Sequence, residues 1–266
     1  MVTIEPRKRL GTVIPQGGRA TFYHIDGFVG DTHHAPEPAS VGRKITEEDT
    51  ETVAQHSASN PNTRAFLECM ERTPTQTEPY PHWLLEKPIT DATCSAIAEL
   101  PFNPPENQSF NGKRETNNNS RVYFNGDNCE KFEVCRDLVE TFQDPCIIAA
   151  IEKKCSIDLS EGQLRIEYCQ DTDGFWLEPH TDIFVKLFTM LIYLDDDPRL
   201  SNCGTDVYDE NHEFVKRAPY GLNKGMIFIA GENTWHGFSP RTINGVRKSI
   251  IVNYVTKEWR DTYELA

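Results

Sequence analysis

The pattern of apolar and polar positions divides the chain at about residue 78. Before it, apolar residues are scattered among Pro, Gly, Ser, Thr and charged residues without a sustained period. Residues 1–78 therefore read as a loop-rich extension, extended or partly ordered, that buries too little apolar surface to fold alone. Within it, positions 20–29 predict a strand or docking segment, and positions 64–70 a short helix. The folded domain, 79–266, opens on Tyr80-Pro81-His82-Trp83-Leu84-Leu85. Thr90 then predicts the N-cap of a helix running to about Leu100, where Pro101, Pro104 and Pro105 forbid continuation. Phe132, Cys135, Leu138, Val139 and Phe142 recur at helical spacing, and Pro145 starts a second helix through Ile147, Ile148 and Ile151.

After Ser160-Glu161-Gly162 the period changes to two. Leu164, Ile166 and Tyr168 alternate with Gln163, Arg165 and Glu167, which predicts a half-buried strand. Further strands are expected at 186–194, 204–208, 225–230 and 246–255, separated by turn signals such as Asp171-Thr172-Asp173-Gly174 and Ile243-Asn244-Gly245. Helices first and strands last give an α+β chain: an antiparallel jelly roll backed by a helical layer. The polar stretch 107–121 reads equally as a plain surface loop or as a lid of amide and guanidinium donors. In the second case Arg114, Asn118 and Arg121 are candidate substrate contacts.

Composition narrows the function classes. Of 266 residues 38% are hydrophobic and 10% aromatic, enough for a core, and the net charge is −14. Without a local basic cluster, that charge argues against nucleic acid and anionic membrane surfaces as partners. Eight cysteines occur with no Cys-x-x-Cys pair, so they read as reduced, mostly buried thiols rather than a zinc site. No run reaches the ~18 apolar residues of a membrane span, and the N-terminus lacks a leader's apolar stretch. A soluble cytoplasmic protein is the expectation. His33-His34 has no third ligand nearby and reads as a solvated loop pair.

The chemistry concentrates between Tyr168 and Arg247. His180-Thr181-Asp182 places two ligand types at i and i+2, on one side of an extended chain, and Pro179 favours extended geometry before it. Alone, such a triplet reads as a surface turn. Farther on, the apolar run Gly225-Met226-Ile227-Phe228-Ile229-Ala230 delivers Thr234-Trp235-His236-Gly237. Two imidazoles and a carboxylate are the ligand set of an open Fe(II) site. Arg247 and Ser249 follow on one face of the last strand. A guanidinium inside a barrel needs an anionic partner, which a dicarboxylate cosubstrate would supply.

In this order — His-x-Asp, a distant His, an Arg about ten residues on — the sequence resembles the Fe(II)/2-oxoglutarate-dependent dioxygenases, in particular the prolyl-4-hydroxylase-like branch. Leu164-Arg165-Ile166-Glu167-Tyr168, Phe188-Thr189-Met190-Leu191-Ile192-Tyr193-Leu194 and Cys203-Gly204-Thr205-Asp206 add to the likeness, which spans about residues 79–256. The resemblance implies a double-stranded β-helix, with iron on His180, Asp182 and His236. Arg247 would hold the distal carboxylate of 2-oxoglutarate, assisted by Ser249 and Tyr168. It implies a reaction that consumes O2 and 2-oxoglutarate, releases succinate and CO2, and hydroxylates a C–H bond. Asp182 stands where related halogenases carry Gly or Ala, which points to hydroxylation. Cys203-Gly204-Thr205 departs from the more frequent Gly-Gly-Thr/Glu, and the extension has no counterpart. A polar small molecule is the expected substrate, with a peptidyl (prolyl-type) side chain as the alternative. A cupin-like enzyme or sugar-binding module that never uses 2-oxoglutarate, and a non-catalytic scaffold, are the rivals.

Overall fold

A computed structural model describes residues 60–104, 106, 110–113 and 121–266. The expected strand at 20–29, the His33-His34 pair, Arg114 and Asn118 lie outside them.

The helices begin where the chain offers caps. α1 (Pro61–Arg72) has Pro61 in its first turn and the Asn60 side chain accepting from the amides of Asn62 and Thr63; it buries Phe66, Cys69 and Met70. It is longer than the 64–70 helix expected. β1 (His82–Glu86) precedes α2 (Asp91–Ala98), whose first turn is capped by Thr90 as anticipated. The periodic stretch ending at Phe142 divides into α3 (Gly126–Lys131) and α4 (Glu133–Gln143). The break is Phe132, held extended at φ −128°, while Asn125 caps α3. α5 (Pro145–Cys155) is capped by Asp144 and ends at Ser156 in a left-handed conformation.

Nine further strands follow: β2 (Arg121–Tyr123), β3 (Gln163–Asp171), β4 (Leu177–His180), β5 (Lys186–Tyr193), β6 (Asp206–Tyr208), β7 (Phe214–Arg217), β8 (Lys224–Phe228), β9 (His236–Phe238) and β10 (Arg247–Val255). They form a major sheet of order β1-β8-β5-β10-β3-β2 and a minor sheet of order β4-β9-β6-β7, every pairing antiparallel. From β3 to β6, and again from β8 to β10, successive strands alternate between the sheets. This is a double-stranded β-helix backed by helices, the architecture expected. The short strands β2, β4, β7 and β9 were not anticipated.

The outer face of the major sheet carries the main core. Leu164, Ile166 and Tyr168 of β3, Phe188, Met190 and Ile192 of β5, and Ile250, Val252 and Tyr254 of β10 pack with Phe66, Ile97, Leu138, Phe142, Ile147 and Ile151 of the helices. Past the exposed Gln163, the alternating polar residues of β3 do not face water. Arg165 and Glu167 are only 2% and 0% exposed, because the second face of the sheet lines the jelly-roll interior. The half-buried strand of the sequence reading is thus buried on both faces. All eight cysteines are free thiols, five of them buried. No helix among the described residues is long and apolar enough to cross a membrane.

Candidate metal centre

The minor sheet brings the two histidines together. His180 at the end of β4 is the cross-strand partner of His236 at the start of β9, and their ring centroids are 4.4 Å apart. The pairing needs a glycine beside it: a Cβ on Gly237 would stand 2.9 Å from the carbonyl oxygens of Leu177 and Glu178. Each ring uses Nδ1 against a carbonyl two residues earlier, Glu178 at 2.8 Å for His180 and Thr234 at 3.0 Å for His236. An acceptor there requires Nδ1–H, which leaves Nε2 as the lone-pair nitrogen of both rings. Asp182 lies two residues past β4. Its Oδ2 accepts from the Thr189 hydroxyl at 2.7 Å and its Oδ1 from Lys186 Nζ at 2.6 Å.

One donor atom from each of His180, Asp182 and His236 lies within 4.8 Å of the others. Burial, with His180 adding to it, pushes the His236 pKa down to about 3, so this imidazole is neutral and able to ligate. Burial, the largest single influence on Asp182, opposes its ionisation, and the Lys186 charge acts against that burial. Together with hydrogen bonds from Lys186 and Thr189, that charge holds the carboxyl well below the usual range. Two imidazoles and one carboxylate fit a divalent first-row ion and are the 2-His-1-carboxylate set used for Fe(II).

The cavity lined by these three residues continues to Arg121 and Arg247. Arg247 is buried, with Nη1 on Asp171 Oδ2 at 2.6 Å and Nε on the Cys203 carbonyl at 2.7 Å. Its guanidinium lies over Phe238 and Tyr193, 5.0 and 5.4 Å from the ring centroids. The anionic partner expected from a cosubstrate is therefore already supplied by the protein, as Asp171. Asp171 is shared, however, because its Oδ1 accepts from Arg121 Nη1 at 3.1 Å. Two guanidiniums share this one carboxylate, and Glu167, which adds negative charge near Arg121, is itself paired with Arg165, so this end has no carboxylate to spare. A diacid whose other end reaches the metal ligands would bring one.

The remaining expected residues fall on different sides of the sheet. Ser249 shares the inner face with Arg247, and its buried hydroxyl has no hydrogen-bond partner among the described residues. That orphaned group suits a ligand oxygen. Tyr168 pairs in register with Ile250, not Ser249, and sits in the helix-backed core. It does not reach the cavity, and its parity with Leu164 and Ile166 was the available signal. Arg121 is no lid residue; it opens β2 and is buried in the cavity beside Arg247. Asp171, Lys186 and Thr189 were not singled out, because buried charged and hydroxyl side chains carry no periodic mark of their own.

On its other side the metal centre opens to a cleft of about 760 Å³, which shares His180, Asp182 and Lys186 with the inner cavity. Glu178, Trp259, Arg260 and Asp261 line it. Directly after Asp182, Ile183 and Phe184 are 60% and 71% exposed.

No protein-family model matches the chain, and no curated protein matches it in sequence. Solved structures similar to it are prolyl hydroxylases. A Pseudomonas putida prolyl-4-hydroxylase is 12% identical over 73% of this chain and 98% of its own, with a TM-score of 0.49. A Phytophthora capsici prolyl 4-hydroxylase is 13% identical over 83% of this chain and 70% of its own, at 0.49. A Trichoplax adhaerens prolyl hydroxylase, solved with a hypoxia inducible factor peptide fragment, is 13% identical over 79% and 93%, at 0.46. Likeness at this level assigns neither substrate nor residue roles, which rest on the geometry above.

Proposed function

We propose that this chain is an Fe(II)- and 2-oxoglutarate-dependent dioxygenase that hydroxylates a C–H bond of a polar small molecule. The observation that carries the reading is one cavity with a 2-His-1-carboxylate set at one end and two guanidiniums sharing one carboxylate at the other. His180, Asp182 and His236 would hold the iron, which when bound supplies oxygen activation coupled to decarboxylation of the cosubstrate. Arg247 and Arg121, kept in place by Asp171, would orient the distal carboxylate, and Ser249 would give it a hydrogen bond. Phe175, Phe228 and Phe238 wall the cavity and exclude water from the reacting centre. The substrate would enter from the outer cleft, whose lining of carboxylates, Arg260 and Trp259 suits a polar molecule.

The exposed Ile183 and Phe184 beside that cleft favour a second reading, in which the substrate is a side chain of a polypeptide laid across the surface. A screen read by succinate release separates the two. Free amino acids and sugar acids should raise succinate formation above the uncoupled rate, and His180→Ala should abolish it. Stimulation only by peptides selects the second reading. Succinate formation that survives His180→Ala excludes both.

A further inference from the structure

We infer that Thr189 and Asn253 are positioning residues for the metal site. They form a one-way hydrogen-bond chain from the Arg165 guanidinium to Asp182, and this chain fixes how the Asp182 carboxylate faces the ion. The inference rests on reading His180, Asp182 and His236 as metal ligands, and concerns residues that are not themselves ligands.

The direction of every link follows from its ends. Arg165 has no acceptor, so the Asn253 atom 3.1 Å from its Nη1 is the amide oxygen. That orientation turns Asn253 Nδ2 toward the Phe188 carbonyl at 3.2 Å and the Thr189 hydroxyl at 2.9 Å. The flipped amide would set donor against donor at Arg165 and oxygen against oxygen at Phe188. Thr189, a cross-strand partner of Asn253, thus receives a proton at Oγ1 and must point its own elsewhere. The group that takes it is Asp182 Oδ2, an ionised acceptor 2.7 Å away. All four residues are buried, so water does not compete for the links.

The far end is anchored as firmly. Arg165 Nε binds Glu264 at 2.6 Å and Nη2 binds Glu167 at 3.2 Å. Its guanidinium lies over the rings of Tyr123 and Trp259, 4.9 and 4.8 Å from their centroids. With Oδ2 accepting from Thr189, the carboxylate is fixed in orientation and presents its remaining lone pairs to the ion. A carboxylate fixed in this way loses little freedom on binding, whereas an unheld one must be ordered by the metal itself.

The test is anaerobic titration of the full chain with Mn(II), following free Mn(II) by electron paramagnetic resonance, beside a melting curve of each metal-free variant. Thr189→Val should raise the Mn(II) Kd by about tenfold or more, while Thr189→Ser, which keeps the hydroxyl, should bind within about twofold of wild type. Asn253→Asp keeps the shape and an ion pair to Arg165 but turns a donor into an acceptor. Thr189 then has a second carboxylate to donate to, and affinity should fall although the fold is kept. Wild-type affinity in folded Thr189→Val or Asn253→Asp overturns the proposal, as does a Thr189→Ser that binds as weakly as Thr189→Val. A wild type that does not bind Mn(II), or that binds no better than His180→Ala, overturns the metal site itself and the chain of bonds with it.

Discussion

Both faces of the major sheet are buried, yet they are made of different matter. The outer face presents Ile166, Met190, Ile192, Ile250 and Val252 to the helices, where burial of apolar area drives folding. The inner face, one residue out of phase, carries Arg165, Glu167 and Asp171 on β3, Thr189 on β5, and Arg247, Ser249 and Asn253 on β10. Buried charges of this kind are retained only with partners, and each guanidinium here has a carboxylate within 3.1 Å. The difference assigns the faces separate tasks: the outer one holds the domain together, and the inner one holds a polar site in a dry interior.

Substitutions on the two faces should therefore fail in different ways. Phe142→Ala, on the helix side against Phe66, is expected to cost about 3–5 kcal/mol of stability, read by chemical denaturation, with Mn(II) affinity of the folded fraction unchanged. A shift in metal affinity there would break the division. Arg247→Met leaves Asp171 paired with Arg121 but removes half of the cationic end. It should weaken 2-oxoglutarate binding by about 100-fold, in line with the roughly 2–5 kcal/mol lost when one partner of a buried charge pair is truncated. Calorimetry on Mn(II)-loaded protein would measure it, and metal affinity should stay within about twofold, since Arg247 is not a ligand. The smallest effect sharpens the comparison most, because it contrasts neighbouring rungs. Ser249→Ala should raise the 2-oxoglutarate Kd about fivefold, the worth of one hydrogen bond. Tyr168→Phe, facing the other way with a buried and unpartnered hydroxyl, should leave that Kd unchanged and stability unchanged or higher.

What the sequence made legible follows the same division. Apolar patterning located α5 and the long strands β3, β5, β8 and β10, because each presents a continuous face to the core, while α2 was marked by its Thr90 cap and the prolines after it. The break at Phe132 escaped the patterning, since the apolar spacing runs on across the interruption. Strands of three or four residues, β2, β4, β7 and β9, are too short for a period to register. The candidate metal ligands were readable because His180, Asp182 and His236 form a recognisable order along the chain. Their support was not. Arg165 and Glu167 alternate with apolar residues as solvent-facing residues would, and only the second sheet turns that face inward. Likewise Arg247 was expected to wait for a diacid; Asp171, 76 residues earlier in the chain, already pairs with it and is shared with Arg121.

The central claim is that a single cavity holds a divalent ion at His180, Asp182 and His236 and a diacid against Arg121 and Arg247. Anaerobic titration of 2-oxoglutarate into the Fe(II)-loaded chain, followed by visible absorption, tests it directly. The expected result is a weak charge-transfer band that saturates at one equivalent and is absent in His180→Ala. An iron-loaded sample that binds 2-oxoglutarate without any band, or does not bind it at all, would contradict the account.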